Sequence, residues 1–507
     1  MFQNEPERRA ALAAAGGTLA SRLLGVARDV LLAYLLGPGA DVFLAAFRIP
    51  NLFRRLLAEG ALGLGHLAVF AEAAARQGQE AALGLSRDLS RVLVLLSPPL
   101  LLLLGLAAPA LVLLTAPGLA PDSARRAAFL LSCCLPYLPL CLLAGIALSR
   151  RACLGNLVPQ ALAPPVFNLC FLGAGLTALG LSSSPGASEL FLCLGVSLAG
   201  AAQLALAGYP AAGGPAAFRR ALARKEARSA LARIPLAALG ASAYQLQVLA
   251  GTCLASFLAG GSISALYFAE RLLEFPLGLA GVSVGLLALP RLAERTSRQN
   301  REALIRGVSL SAFLSLPAAA GLAGLALPLS RLFFGQGAYS PEDARLTALC
   351  LAAYAPALPA MCADRTLLTA LAALGGTRTV SLAAAPSLAA SILAALPGAF
   401  FLGAPGIALG LTCGAWVHTA LLLRALRQKG LDAGPAARRC LPYLPPALGM
   451  ALLLFFLPLP LEDKGPLAAS LAVMIAACAL AWIGLFRLAR NEDALALTAL
   501  FLPRGPR

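Results

Sequence analysis

The chain has 507 residues, of which 59% are hydrophobic and only 12% are charged, and its formal net charge is +17. Soluble domains carry about 25% charged residues, so this composition excludes an ordinary soluble protein. Apolar runs such as 92–114 and 447–461 are long enough for membrane helices and lack the period-two alternation of a membrane β-barrel. The sequence therefore predicts an all-α polytopic membrane protein.

Polar breaks divide the chain into about fourteen apolar segments, each near the length that a spanning helix needs. The N-terminal stretch MFQNEPERRA is charged and has no small-residue cleavage motif, so we expect the first helix to remain as a span. With the N-terminus in the cytoplasm, most of the 40 Lys and Arg residues fall in cytoplasmic loops. This is the positive-inside pattern, and it fixes the predicted orientation.

The first span, at about residues 10–36, carries charge in the stretch SRLLGVARD. At 100° per residue, Arg22 and Asp29 share one helix face, and Ser21 and Arg28 share another. Ionisable residues within a membrane helix are functional candidates, so this span is a candidate wall of a binding site.

The second span contains FRIPNLFRRLLAEG at 47–60, where polar residues follow helical spacing and form one stripe. The members of this stripe are Asp41, Arg48, Asn51, Arg55 and Glu59. Arg54 lies about 100° from Arg55 around the helix, and Pro50 is expected to bend the helix locally.

The most basic segment, AFRRALARKEARSALAR at 217–233, lies midway along the chain. We interpret it as a cytoplasmic loop close to anionic lipid and expect no nucleic-acid partner. Beyond it, the stretch AERLLEFP places Glu270 and Glu274 on one helix face, with Arg271 about 100° away.

The two halves of the chain resemble each other. Residues 135–155 align with 355–375 at a constant offset of 220, and residues 35–48 align with 258–271 at an offset of 223. The second alignment places Arg48 on Arg271.

This repeat predicts two six-helix lobes related by a pseudo-twofold axis along the membrane normal, followed by two C-terminal helices. Transporters built in this way bind substrate between their halves. The predicted divisions are 1–215 for spans one to six, 216–235 for a basic cytoplasmic linker, 236–430 for spans seven to twelve, and 431–507 for the last two spans and the tail.

Two interpretations of the intramembrane charges remain open at this point. They can pair with one another as structural links or extend to the membrane surface, as Asp41 and Arg48 near the outer end could do. An arginine at mid-membrane, however, costs roughly 2.5–3.5 kcal/mol, and guanidinium groups bind phosphate bidentately. A water-filled, arginine-lined cavity would suit an anionic, phosphorylated substrate.

No enzyme motif is found. His66 and His418 are the only histidines and lie far apart in sequence, and there is no Walker A loop. The twelve cysteines are scattered through apolar segments and are interpreted as small core residues. We therefore expect a transporter with no cofactor and no metal ligands.

Three stretches, SRLLGVARD (21–29), GADVFLAAFRIPNLFRRLLAEGAL (39–62) and YFAERLLEFPLGLAGVSVG (267–285), closely resemble signatures of the MurJ/MviN family. These are bacterial lipid II flippases of the multidrug/oligosaccharidyl-lipid/polysaccharide exporter superfamily. The resemblance implies movement of an undecaprenyl-diphosphate-linked peptidoglycan precursor from the inner to the outer leaflet of the cytoplasmic (inner) membrane. It also implies alternating access around a central arginine-lined cavity, with the last two helices forming a groove for the lipid tail.

The family residues implicated in function match a set of positions here: Ser21, Arg22, Arg28, Asp29, Asp41, Asn51, Arg54, Glu59, Arg271 and Glu274. The family motif favours Arg54 where helical spacing favours Arg55, and both are kept as candidates for substrate binding. Some members of the family have a sodium site, but Gly251 stands where an acid or amide is often found, and the span at 380–396 lacks the usual asparagines. These departures argue against that site and favour the membrane potential as the driving force.

Two other functions compete with this interpretation. A drug/cation antiporter of the same superfamily should place unpaired acids in its cavity. A non-transporting scaffold that recruits cell-wall enzymes should tolerate Arg28→Ala and Arg271→Ala. The expected partners are lipid II and membrane lipids, with the cell-wall synthesis machinery as a further candidate.

Overall fold

The computed structural model describes residues 5–55, 62–181, 184–208, 243–288, 297–374 and 377–491, except residues 462 and 490. Within these ranges the chain is helical and contains no β-strand. Eleven helical segments of the described residues are long and apolar enough to cross a membrane. The predicted all-α membrane class is confirmed, whereas the number of fourteen spans stays a prediction.

The described residues fall into two compact units, of which the first lies within 1–245 and 259–263. Its helices are α1 (Glu5–Leu36), α2 (Ala40–Phe53), α3 (Leu62–Gln77), α4 (Gln79–Leu106), α5 (Ala108–Thr115), α6 (Pro121–Cys134), α7 (Tyr137–Cys153), α8 (Val158–Leu181) and α9 (Pro185–Ala207).

The second unit lies within 246–258 and 264–507, and it contains most of α10 and α11 and all the helices that follow. The helices are α10 (Ala243–Ala255), α11 (Ser262–Ala288), α12 (Ser297–Gly324), α13 (Ala326–Phe333), α14 (Pro341–Tyr354), α15 (Leu358–Ala373), α16 (Thr377–Leu402), α17 (Ala404–Gln428), α18 (Gly434–Cys440), α19 (Leu444–Phe456) and α20 (Lys464–Leu488). The predicted domain boundaries stay a prediction.

The prolines that align in the sequence repeat mark helix breaks in both units. Pro136 precedes α7 directly and separates it from α6. Pro356 lies in the 3₁₀ turn Ala355–Ala357 that separates α14 from α15. Proline lacks a backbone donor and disfavours helical geometry in the preceding residue, so the same residue type interrupts a helix at matching positions.

Aromatic side chains of α2 and α8 form the centre of the first unit. Phe43 and Phe47 stack on α2 with ring centroids 5.7 Å apart. Both rings contact Phe171 of α8, at centroid distances of 6.0 and 6.2 Å. This packing holds α2 against α8.

In the second unit, an aromatic cluster anchors the C-terminal helices to α12. Phe313 of α12 lies 5.8 Å from Trp482 and 5.6 Å from Phe486, measured between ring centroids, and both partners belong to α20. The Trp482 indole Nε1 donates to the Phe313 carbonyl oxygen at 3.0 Å. Buried tryptophan usually satisfies its donor in this way, so the hydrogen bond and the ring contacts hold α20 against α12.

Large apolar side chains cover much of the outer surface. Phe400 is 83% exposed, Phe456 76% and Leu106 75%. Soluble proteins rarely expose wide apolar patches, whereas a lipid-facing surface requires them. The distribution agrees with a protein that spans the membrane several times.

Candidate substrate-binding site

The site begins with a buried ion pair between neighbours on α1. Arg28 donates from Nε to Asp29 Oδ1 at 2.9 Å and from Nη2 to Asp29 Oδ2 at 3.1 Å. Arg28 is 8% exposed and Asp29 1%. Two charges removed from water are stable only with good geometry and further hydrogen bonds, and the forked contact provides the first of these conditions.

Asn168 of α8 supplies further hydrogen bonds. Its Oδ1 accepts from Arg28 Nη1 at 3.0 Å, and its Nδ2 donates to the backbone carbonyl oxygen of Ser21 at 2.8 Å. Asn168 therefore connects α8 to two points on α1 that lie two helical turns apart, and it fixes the plane of the Arg28 guanidinium. Sequence analysis missed this residue; the available signal was an amide in the interior of an apolar helix.

The guanidinium groups of Arg28 and Arg54 lie over phenylalanine rings of α8. The Arg28 guanidinium carbon lies 5.9 Å from the Phe167 ring centroid and 5.6 Å from that of Phe171. The same carbon of Arg54 lies 5.4 Å from the Phe167 centroid. A cation over an aromatic face within about 6 Å is attracted by the ring quadrupole. Arg28 and Arg54 therefore share one aromatic platform at Phe167, which sequence analysis did not predict.

A neutral side chain close in sequence accepts a hydrogen bond from Arg54. Its Nη2 donates to Asn51 Oδ1 at 2.8 Å, and this acceptor is a neutral amide three residues earlier on the same helix. Asn51 is buried and Arg54 is half-buried. Arg54 thus contacts Asn51, a member of the predicted stripe, and the preference for Arg54 over Arg55 in substrate binding stays a prediction.

At the start of α2, Asp41 has a specific backbone partner. The N–H of Gly261 donates to Asp41 Oδ2 at 2.8 Å, and Gly261 has a φ of +88°, a conformation that favours glycine. Asp41 and Arg48 are 8% and 7% exposed. The proposal that these two side chains extend to the surface is wrong, because tertiary packing buries both of them.

In the second unit, Arg271 lies between two carboxylates of its own helix, α11. Its Nη1 is 2.6 Å from Glu274 Oε2, and its Nη2 is 3.5 Å from Glu270 Oε1. The guanidinium carbon lies 4.8 Å from the Tyr267 ring centroid. The helical offset of 100° did not prevent pairing, because the long arginine side chain reaches both acids. With both acids ionised, this cluster has a net negative charge.

The remaining predicted residues of the first unit are only partly buried where the structure describes them. Ser21, Arg22 and Arg55 are half-buried, and Glu59 lies outside the described residues. In the second unit, Gln247 of α10 donates to Ser387 of α16 at 3.3 Å. A side chain at Gly251 would meet Leu411, 3.1 Å from the added Cβ. These contacts are amide, hydroxyl and apolar ones, in the two spans where sequence analysis looked for a sodium site.

The fold and the arginine clusters together define a polytopic membrane protein with cationic groups held on an aromatic platform. Its fold is similar to that of a solved structure titled lipid II flippase MurJ, inward closed conformation, with a TM-score of 0.77, 21% identity and coverage of 94% of this chain and 98% of that one. It is also similar to an inward-facing multidrug resistance MATE family transporter of the MOP superfamily, with a TM-score of 0.66, 13% identity and coverage of 84% and 99%.

Sequence similarity narrows the class further. The family model described as lipid II flippase MurJ matches residues 32–459. A probable lipid II flippase MurJ of Rhizobium meliloti is 33% identical over 426 residues, covering 82% of this chain and 79% of the relative. The lipid II flippase MurJ of Burkholderia cenocepacia is 29% identical over 443 residues, covering 83% and 84%. The chain belongs to the MurJ family.

Proposed function

We propose that this protein flips lipid II from the inner to the outer leaflet of the bacterial cytoplasmic membrane by alternating access. The choice of lipid II as the substrate rests on the match to the family model over residues 32–459. Curated relatives at 29–33% identity carry the same description. The activity is transport, with no covalent change in the substrate.

The diphosphate of lipid II is proposed to bind first at Arg54. Arg54 lies over the Phe167 ring beside Arg28, and a phosphate oxygen can accept the hydrogen bond that its Nη2 donates to the Asn51 amide oxygen. Arg28 is held by the Asp29 carboxylate and by Asn168, and it forms the fixed wall beside Arg54. A guanidinium with free planar geometry offers two parallel donors to a phosphate.

The acidic surroundings of Arg271 suggest a different role for the second unit. With Glu270 and Glu274 both ionised, the cluster repels an anion unless a proton, a cation or a change of partner offsets one charge. Arg271 is therefore proposed to receive the diphosphate later in the cycle than Arg54, after one of its acidic contacts is released.

The predicted topology belongs to this proposal. It has a cytoplasmic N-terminus, fourteen spans in two six-helix lobes related by a pseudo-twofold axis, two C-terminal helices for the lipid tail, and a central arginine-lined cavity. The positive-inside distribution and the matching proline breaks support it. The chain is proposed to work without a cofactor or a resident sodium ion, with the membrane potential contributing to the driving force.

The rival functions make different demands on the site. A drug/cation antiporter shares the fold, since MATE transporters align with this chain, but its cationic substrates require acids that face them. In the first unit, the described contacts instead place Arg28 and Arg54 on the same aromatic platform. A scaffold would need no such arrangement.

The proposed function is tested by complementation in cells depleted of their own flippase, scored by lipid II accessibility at the outer leaflet. The wild-type chain should restore accessibility. Arg54→Lys should reduce it about tenfold, because a lysine keeps the charge but loses the planar fork, and a charged hydrogen bond contributes about 1.5–3 kcal/mol.

The matched control is Arg345→Lys, which makes the same replacement at an exposed position of α14 and should restore accessibility fully. Failure of the correctly inserted wild-type chain would refute the flippase proposal. Full activity of Arg54→Lys would refute bidentate phosphate recognition but would leave the flippase proposal intact.

A further inference from the structure

A second, partly buried polar cluster lies in the second unit, apart from Arg271. Asp364 of α15 lies 2.7 Å from His418 of α17, measured from carboxylate Oδ2 to ring Nδ1. The hydroxyl of Thr419 donates to the other carboxylate oxygen, Oδ1, also at 2.7 Å. The two oxygens of Asp364 are thus contacted by two neighbouring residues of α17, one by the imidazole and one by the hydroxyl.

This cluster lies within segments that are long and apolar enough to span the membrane. Asp364 belongs to the candidate span Pro341–Leu371, and His418 to Ala404–Gln428. The side chains of His418 and Asp364 are only 12% and 14% exposed. Ionisable groups in this position are costly, and in transporters they mark ion and proton paths.

The helices around His418 bring it no second carboxylate among the described contacts. α17 packs against α14, α15, α16 and the 3₁₀ turn Ala355–Ala357. α16 has no titratable side chain from 379 to 402. The acids of α14, Glu342 and Asp343, lie at its first turn, where Asp343 caps the helix with Ser340.

The other titratable groups nearby are also accounted for. On α15, Cys362 is buried and Arg365, next to Asp364, is exposed. On α14, Cys350 and Tyr354 are buried. On α17 itself, Cys413, Arg424 and Arg427 are exposed. α12, which packs against α15, contributes Ser311 to Thr366 at 3.2 Å, and its charged residues lie between 298 and 306.

We propose that Asp364 and His418 form a proton-binding site, and that one proton passes inward through it for each lipid II moved outward. The proposal rests on the proposed flippase function. In this proposal Nδ1 keeps its contact with Asp364, and the exchanging proton binds Nε2 and converts the imidazole to imidazolium; the proton comes from water on one side and returns to water on the other. The pair alternates between a net charge of zero and minus one.

Such a change of charge within the membrane responds to a pH gradient as well as to the membrane potential. Thr419 has a positioning role, because its hydroxyl holds the carboxylate without titrating. A purely structural link between α15 and α17 would use the same hydrogen bonds, and it is distinguished by the response to pH.

The test uses the full chain in liposomes that contain labelled lipid II, with the membrane potential clamped at zero and a gradient of one pH unit imposed. One-for-one coupling shifts the steady-state ratio of lipid II between the leaflets about tenfold, since one pH unit corresponds to a factor of ten in the equilibrium constant. A pH-sensitive dye inside the liposomes should report proton movement only when lipid II is present.

His418→Asn should still exchange lipid II but leave the leaflet ratio near one, because an amide can donate to Asp364 in place of Nδ1 but does not take up a proton. Thr419→Val, the matched control, should keep the tenfold response. If His418→Asn does not exchange lipid II at all, Asp364→Asn is measured in its place with the same expectation.

The outcomes separate the two proposals. A wild-type chain that exchanges lipid II but ignores the pH gradient would overturn the proton site and leave the flippase function intact. A normal response from His418→Asn would also overturn the site. A wild-type chain that exchanges no lipid II would overturn the flippase function, and coupling through Asp364 and His418 with it.

Discussion

Asn168 is the residue that sets the geometry of the arginine site in the first unit. Its two hydrogen bonds, to Arg28 at 3.0 Å and to the Ser21 carbonyl oxygen at 2.8 Å, help to hold a charged group that also pairs with its neighbour Asp29. Ion pairs between adjacent residues on a helix leave the direction of the guanidinium open. The amide removes that freedom at no cost in net charge.

Asn168→Leu should therefore reduce lipid II flipping about tenfold, because a hydrogen bond to a charged group contributes about 1.5–3 kcal/mol. The measurement is the rate of lipid II exchange at equal protein levels. Thr177→Val on the same helix removes an exposed hydroxyl that bonds only within its own turn and should leave the rate unchanged. Equal rates for Asn168→Leu and the wild-type chain would exclude the positioning role.

Arg54 and Arg28 should respond differently to mutation. Arg54→Gln should raise the apparent KM for lipid II more than Arg28→Gln, since only Arg54 is proposed to bind the diphosphate first. Arg28→Gln should instead lower the amount of folded protein, because it leaves Asp29 as a buried charge without its forked partner, a loss of about 3–5 kcal/mol. The opposite order of KM effects would reverse the assignment.

At the scale of the helices, α16 and α17 pack closely through glycines. A Cβ added at Gly410 would come within 2.5 Å of the Ala395 backbone, a distance that requires the helices to separate. No comparable space restriction exists at Gly484 of α20, where an added Cβ meets no atom within 4 Å.

Gly410→Ala should destabilise the protein by about 1–3 kcal/mol, as overpacking does, and should lower the Tm measured in detergent. Gly484→Ala is the control. It should keep or slightly raise the Tm, because alanine is the better helix former by about 0.5–1 kcal/mol. A similar Tm for both variants would show that the two helices do not depend on this contact.

α3 contains a histidine that links three helices of the first unit. His66 contacts Ser149 of α7 through Nδ1 at 3.0 Å and Ser86 of α4 through Nε2 at 2.8 Å. α3 is not one of the eleven candidate spans of the described chain. Burial, together with the charge of Arg150, lowers the pKa of His66 from 6.5 to about 4.

The lowered pKa of His66 determines how the stability of the protein changes with pH. Between pH 6.5 and about 4, the unfolded chain binds a proton at His66 that the folded chain does not, so stability falls as the pH falls. The Tm advantage of the wild-type chain over His66→Gln should thus be largest above pH 6.5 and should shrink towards pH 4. An advantage that is constant over this range would contradict the neutral, buried imidazole.

Contacts between distant helices explain which parts of the site the sequence could predict. The Arg28–Asp29 and Arg271–Glu274 pairs are local in sequence, although helical spacing grouped Asp29 with Arg22 and Glu274 with Glu270. Asn168 contacts Arg28 across 140 residues, and Asp364 contacts His418 across 54. Those pairings depend on which helix faces meet, and a single sequence contains no periodic signal for them. The two histidines were dismissed because they lie far apart, although each has its own partners.

On the scale of the whole molecule, composition and the apolar runs were sufficient to predict an all-α membrane protein. An apolar surface with Phe400 and Phe456 largely exposed follows from 59% hydrophobic residues, and the proline breaks follow from the repeat. The sequence could not give the exact partners of each charge, because the same stripe of residues is compatible with several helix pairings. The family motif favours Arg54 where helical spacing favours Arg55, and this preference stays a prediction.

The most direct test of the central claim is lipid II exchange by the purified chain in liposomes that contain no other protein. Wild-type protein should make lipid II accessible in the opposite leaflet, and Arg54→Gln should reduce the rate at least about tenfold if this group contributes about 1.4 kcal/mol or more. Exchange by Arg54→Gln at the wild-type rate, or no exchange by a correctly folded wild-type chain, would contradict the account.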